Sequence, residues 1–141
     1  MLYEALSLKE RSLGGIAWHD AIIAGFPGRS LNSLARHLGL KPGVLAQSIG
    51  IAAQDFKANE ALSPCLSDAV YRLALGLQRA SAAFRDEQRA ALWLNTPQPV
   101  MANLVPLRAL LTDEGAALVW TALEKIPKKV AKERENQLAI E

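Results

Sequence analysis

Residues that bear chemistry are scarce in this chain. Its 141 residues include one cysteine and two histidines, and the formal net charge is only +2. Cys65 alone excludes an intrachain disulfide. With no histidine close to it in sequence, it reads as an inert thiol rather than a nucleophile. His19 and His37 fall on different elements, without a carboxylate or thiol cluster at ligand spacing, so no metal site is expected. There is no Walker-type loop, no dinucleotide fingerprint and no glycine-flanked nucleophilic serine, and the acidic residues are scattered rather than paired. Neither catalysis nor a bound cofactor is expected.

Two further absences bear on partners and place. A charge of +2 is too small for a protein that coats nucleic acid by charge alone. No apolar run approaches the ~20 residues that cross a bilayer, and the first residues lack the uninterrupted apolar stretch of a secretory signal. The expectation is a cytoplasmic binding module with no membrane partner.

What the chain has in excess is helix-forming residues. Alanine (24) and leucine (23) together make up a third of it, whereas valine, isoleucine and threonine number 16 in all. That balance favours an all-α protein. Half the residues are hydrophobic, which is enough to build a core and fold one or two small domains.

The pattern divides near Ser63-Pro64. Residues 1–17 scatter Leu2, Leu6 and Leu13 among charges and are expected to form a weakly helical, mobile arm. The stretch from Ile16 to Ala24 is apolar around Trp18, and Gly25-Phe26-Pro27-Gly28 closes it with a turn. Leu31, Leu34, Ala35 and Leu38 then share one helix face that ends at Gly39. Pro42 opens a second short helix, in which Val44, Leu45 and Ile49 form the expected buried face. Ala52–Asn59 is a third unit, with Phe56 its only large apolar side chain. Three compact helices with glycine-bearing junctions are what a helix-turn-helix needs.

After Ser63, an N-cap, and Pro64, a first-turn residue, Leu66, Val70, Leu73, Leu77, Ala80 and Phe84 recur four and three residues apart. This is a heptad-like seam on one long helix, suited to intramolecular core or to a dimer face. Asp86 caps a further helix over 87–94, which Thr96-Pro97-Gln98-Pro99 breaks. A short helix over Pro106–Leu111 follows. Thr112 then caps a last helix with Leu118, Val119, Ala122, Leu123 and Ile126 expected inside. Pro127 ends it, and a charged tail runs to Glu141.

These segments together resemble the Xre/MbcA/ParS family of antitoxins, partners of NAD-consuming RES-domain toxins. The resemblance runs from about Ala21 to Ile126. It rests on Leu66-Ser67-Asp68, Tyr71-Arg72-Leu73-Ala74, Phe84, Trp93-Leu94-Asn95-Thr96-Pro97, Val105-Pro106-Leu107-Arg108-Ala109-Leu110-Leu111-Thr112 and Gly115, in that order. Each fragment is weak alone; their order and spacing are specific.

The resemblance implies an N-terminal Xre-like helix-turn-helix domain over residues 1–62 and a small helical toxin-binding and dimerisation domain over 63–141. The implied partners are a RES-domain toxin, operator DNA and a second copy of the chain. Ala52–Asn59 takes the place of the recognition helix, with Gln54, Lys57 and Asn59 as base or phosphate contacts beside Arg36 and Lys41. That stretch has one basic and one acidic residue where family members commonly have several arginines. Trp93, Leu94 and Pro97 match the family's tryptophan-leucine corner, with Trp93 expected as a core anchor. The seam residues Leu66, Val70, Leu73, Leu77 and Phe84 are assigned to self-association. Toxin contact is assigned to Trp120, Glu124 and Lys125 and to the tail cations Lys128, Lys129, Lys132 and Arg134. Two rival readings remain: a dimeric helix-turn-helix regulator without a toxin partner, and a helical adaptor that no longer binds DNA.

Overall fold

A computed structural model describes Leu6 and residues 15–51, 57 and 59–127. Its described residues form seven α-helices and no strand, so the fold is all-α. The helices are α1 (Gly15–Ala24), α2 (Arg29–Leu38), α3 (Pro42–Ser48), α4 (Pro64–Phe84), α5 (Glu87–Leu94), α6 (Pro106–Ala109) and α7 (Asp113–Glu124), with a 3-10 turn at Pro99–Met101. Two isolated antiparallel bridges join Pro27 to Ala61 and Gln98 to Leu104. The chain divides into two compact units, Met1–Leu75 and Gly76–Glu141. The change of pattern at Ser63-Pro64 marks the start of α4, whereas the units part further along that helix.

In the first unit, α2 buries Leu31, Leu34, Ala35 and Leu38, the face that the 3.6-residue period selects. Gly39 ends it, and the Leu40 amide donates back to the Ala35 carbonyl at 2.9 Å. Pro42 is the first residue of α3, where its missing amide proton costs nothing. The buried side of α3 is Leu45 and Ala46; Val44, expected inside, is 47% exposed and Ile49 is half-buried. Of the N-terminal arm, Leu6 is described and fully buried, its carbonyl accepting from the Ser30 hydroxyl. That residue is therefore held rather than mobile.

The turn after α1 fixes the beginning of α4. Gly25 has φ +91°, and a Cβ there would run into the Leu62 carbonyl, so only glycine fits. The next residue, Phe26, is buried with its amide donating to the Ser67 hydroxyl at 2.8 Å. Its carbonyl accepts from the Leu62 amide at 2.8 Å. Trp18 packs edge-on against Phe26, ring centroids 6.2 Å apart, and lies 5.0 Å from the Tyr71 ring. At the first turn of α4 the Ser63 hydroxyl accepts from the Leu66 amide at 3.2 Å, the N-cap that the sequence places there.

The α4 seam is filled within a single chain. Val70 and Leu77 are fully buried and Leu73 nearly so, while Leu66 and Phe84 at its ends are half-buried. A dimer face needs apolar surface that the lone chain leaves open. Of the residues assigned to self-association, Val70, Leu73 and Leu77 are buried within the chain, and Leu66 and Phe84 keep exposed surface.

In the second unit, α7 begins at a tightly built turn. The Thr112 hydroxyl accepts from the Gly115 amide at 2.9 Å, and Asp113 and Glu114 place negative charge at the positive end of the helix dipole. Gly115 is buried, and a Cβ on it would overlap the Ala109 carbonyl, a backbone atom that cannot rotate aside. The buried arc of α7 is Gly115, Ala116, Val119, Ala122 and Leu123. Leu118, expected inside, is 48% exposed. It precedes Val119 by one residue and so points about 100° away from it.

Two substitutions test these locks. Ser67→Ala leaves the buried Phe26 amide without an acceptor and is expected to lower unfolding free energy by about 1–3 kcal/mol in urea titrations. Gly115→Ala forces the α6–α7 turn to move and is expected to cost about 1–3 kcal/mol in the same measurement. Unchanged midpoints would show that these contacts do not hold their units together.

Candidate functional site

Three features of the second unit combine to present a surface. The first is the corner after α5. Asp86 caps the start of that helix, accepting from the Gln88 amide at 3.0 Å. At its other end three of the last four carbonyls, the groups that a helix end leaves short of partners, accept from side chains. Asn95 Nδ2 donates to the Ala91 carbonyl at 2.8 Å, Thr96 Oγ1 to the Leu92 carbonyl at 2.6 Å, and Gln98 Nε2 to the Trp93 carbonyl at 3.1 Å. The polar Asn-Thr-Pro-Gln run thus ends the helix in one turn. Gln98 then pairs with Leu104 across a loop that buries Met101. Leu94 is fully buried, Trp93 is half-buried with its ring 6.0 Å from that of Phe84, and Pro97 is exposed. Pro97 therefore acts on the backbone rather than by packing.

The second feature is α7. Its buried arc is narrow, so two flanks face solvent. Trp120 and Glu124 stand on one flank; Glu114, Leu118 and Lys125 stand on the other. Of the residues assigned to toxin contact, Trp120 and Glu124 are brought together and Lys125 is turned away from them. Lys128, Lys129, Lys132 and Arg134 lie outside the described residues.

The third feature joins α7 to the end of α4. The Arg79 guanidinium lies 4.1 Å above the Trp120 ring, a cation–π stack. Arg79, Ala83, Trp120, Leu123 and Glu124 line a cleft of about 250 Å³. Sequence reasoning missed Arg79, Ala83 and the role of Leu123. Only the apolar seam of α4 was read, and Arg79 lies off it; an arginine followed one turn later by alanine was the available signal, and a weak one.

The residues assigned to DNA belong to the first unit. Arg36 is exposed in the last turn of α2, and Lys41 is exposed at the N-cap of α3. Lys57 and Asn59 are exposed, and Lys57 Nζ sits 3.9 Å from Glu60. Both partners of that pair are about two-thirds exposed, so it contributes little and leaves Lys57 available to a phosphate. Gln54, and most of the stretch assigned to the recognition helix, lies outside the described residues.

Among the described residues no group of His, Cys, Asp and Glu is assembled to hold a metal, and no helix is long and apolar enough to cross a membrane. Cys65 is exposed near the start of α4. No curated protein matches the chain. Residues 79–127 match the family model described as the antitoxin Xre/MbcA/ParS C-terminal toxin-binding domain. That span holds the corner, both flanks of α7 and the Arg79–Trp120 stack, so the features built by the second unit fall in the part of the chain that is similar to the toxin-binding domain of these antitoxins.

Proposed function

We propose that the chain is the antitoxin of a type II toxin–antitoxin pair. Its toxin is a RES-domain enzyme that consumes NAD, and the antitoxin, itself not an enzyme, neutralises it by covering the entrance to the substrate pocket. The carrying observation is the match of residues 79–127 to a toxin-binding domain, on a unit whose last described helix keeps two flanks in solvent. The antitoxin holds no nucleotide of its own; it acts as a steric block. Trp120, Glu124 and Lys125 supply contacts at the end of α7, and Lys128, Lys129, Lys132 and Arg134 follow in the chain directly after Pro127. A pocket shaped for an anionic dinucleotide attracts such cations, which supports the tail as the segment that covers the entrance.

The first unit binds the operator of its own operon as a helix-turn-helix, with α2 and α3 as its first two helices and Ala52–Asn59 as the third. Arg36, Lys41 and Lys57 reach phosphates, while Gln54 and Asn59 read base edges. So few cations give weak binding by one subunit. A homodimer, built on a surface other than the buried side of α4, or a toxin complex with several antitoxins, sets two such units on one palindrome and raises their effective concentration. The protein works in the cytoplasm, where its DNA and its toxin are.

Truncation after Ile126 tests the tail. The shortened protein is expected to fold and still bind the toxin, yet to need about tenfold more protein, equivalent to 1.4 kcal/mol, for half-inhibition of NAD consumption. Inhibition equal to that of the full chain would assign the block to the helices alone. For DNA, gel shifts at several salt concentrations are the measurement. Lys57→Ala is expected to weaken operator and random DNA alike and to lower the salt slope by about 1, whereas Gln54→Ala is expected to cost about 1–3 kcal/mol on the operator only. No loss from either substitution would remove this stretch from the interface.

A further inference from the structure

The cleft between the ends of α4 and α7 has the size and chemistry of a receptor for one side chain. At about 250 Å³ it is smaller than the roughly 300–1,000 Å³ pockets that enclose small-molecule ligands. Its walls are the Trp120 ring, Leu123 and the methyl of Ala83, with Arg79 and Glu124 as its charged members. Arg79 is exposed on α4 and already stacked on Trp120. The guanidinium carbon lies over the indole ring, and the forked N–H donors of an arginine match the two oxygens of a carboxylate. No ion pair joins Arg79 to Glu124 or to any other described residue. The side-chain ordering that a binding partner would otherwise impose on Arg79 is partly in place before the partner arrives.

We propose that this cleft is the anchor site of the toxin interface. It takes one apolar side chain of the toxin between Ala83, Trp120 and Leu123, and the Arg79 edge binds a toxin carboxylate beside that side chain. The proposal rests on the reading of the chain as a toxin-binding antitoxin, because all five lining residues lie within the matched span 79–127. It adds the location of the energetic centre and the chemistry of the toxin residues that meet it. Trp and Arg in a partly closed pocket are the combination that most often dominates a protein interface. Leu118 and Lys125, on the opposite flank of α7, belong to the periphery in this arrangement.

The test uses the full chain and a catalytically inactive RES-domain toxin of the proposed pair, with binding followed by biolayer interferometry. Ala83→Phe fills the cleft, and Arg79→Met keeps the stem while removing the fork. Each is expected to raise Kd by about thirtyfold or more, as loss of a hot spot does, with an unchanged melting temperature and helical circular dichroism. Arg79→Lys, which keeps the charge and loses the planar edge, is expected to recover only a minor part of the loss. If Ala83→Phe fails to fold, Arg79→Met decides the matter, since Arg79 is exposed and forms no described ion pair. Wild-type binding together with variants within threefold of it would overturn the anchor site and leave the antitoxin reading standing. Absence of wild-type binding would overturn both.

Discussion

Burial of one side of α4 is the constraint on which the rest of the structure depends. Val70, Leu73 and Ala74 are buried in the first unit, and Leu77 and Ala80 in the second, all at 1% exposure or less. Each large apolar side chain removed from water contributes roughly 1.5–3 kcal/mol, so this one helix supplies a substantial share of the apolar core of both units. Its beginning is held by backbone as well as side chains: Ser63 caps it, and Ser67 within it accepts the buried amide of Phe26. A buried amide requires a partner, so the turn after α1 and the first turns of α4 are specified together.

Once one side of a helix is committed to the core, its flanks become the surface. Leu77 and Ala80 face inward on α4, which leaves Arg79 and Ala83 to a neighbouring strip. On α7 a buried arc of five residues leaves Trp120 and Glu124 on one flank and Leu118 and Lys125 on the other. The stack of Arg79 on Trp120 thus joins strips of two helices whose opposite sides are both packed. A binding surface built on such elements loses little conformational entropy when a partner arrives. The exposed Leu118 is an apolar residue outside the core by geometry, not by accident of composition.

The end of α5 shows how a helix can stop abruptly after a large aromatic residue. Proline at 97 and 99 forbids continuation, but stopping leaves carbonyls unpaired. The amides of Asn95 and Gln98 and the hydroxyl of Thr96 fold back onto three successive carbonyls, so the break costs little. Trp93 can then remain half in the core against Phe84, while the loop from Gln98 to Leu104 closes on itself.

Much of this was legible in the sequence because it is local. The all-α class followed from composition; the caps at Ser63, Asp86 and Thr112 and the proline at the start of α3 followed from which side chains satisfy free helix ends. These effects act within one or two turns and need no partner element. Periodicity also found the buried faces of α2 and α4, whose apolar residues recur without interruption. It misplaced Val44 and Leu118, because hydrophobicity says that a residue can be buried and not which neighbour is there to bury it. The candidate cleft was invisible for a related reason: Arg79 and Trp120 are 41 positions apart, and neither pattern nor spacing links them. Local hydrogen-bond chemistry and helical period belong to the sequence itself. Which apolar residue is covered, and which distant side chains meet in one cleft, was decided only when the helices packed.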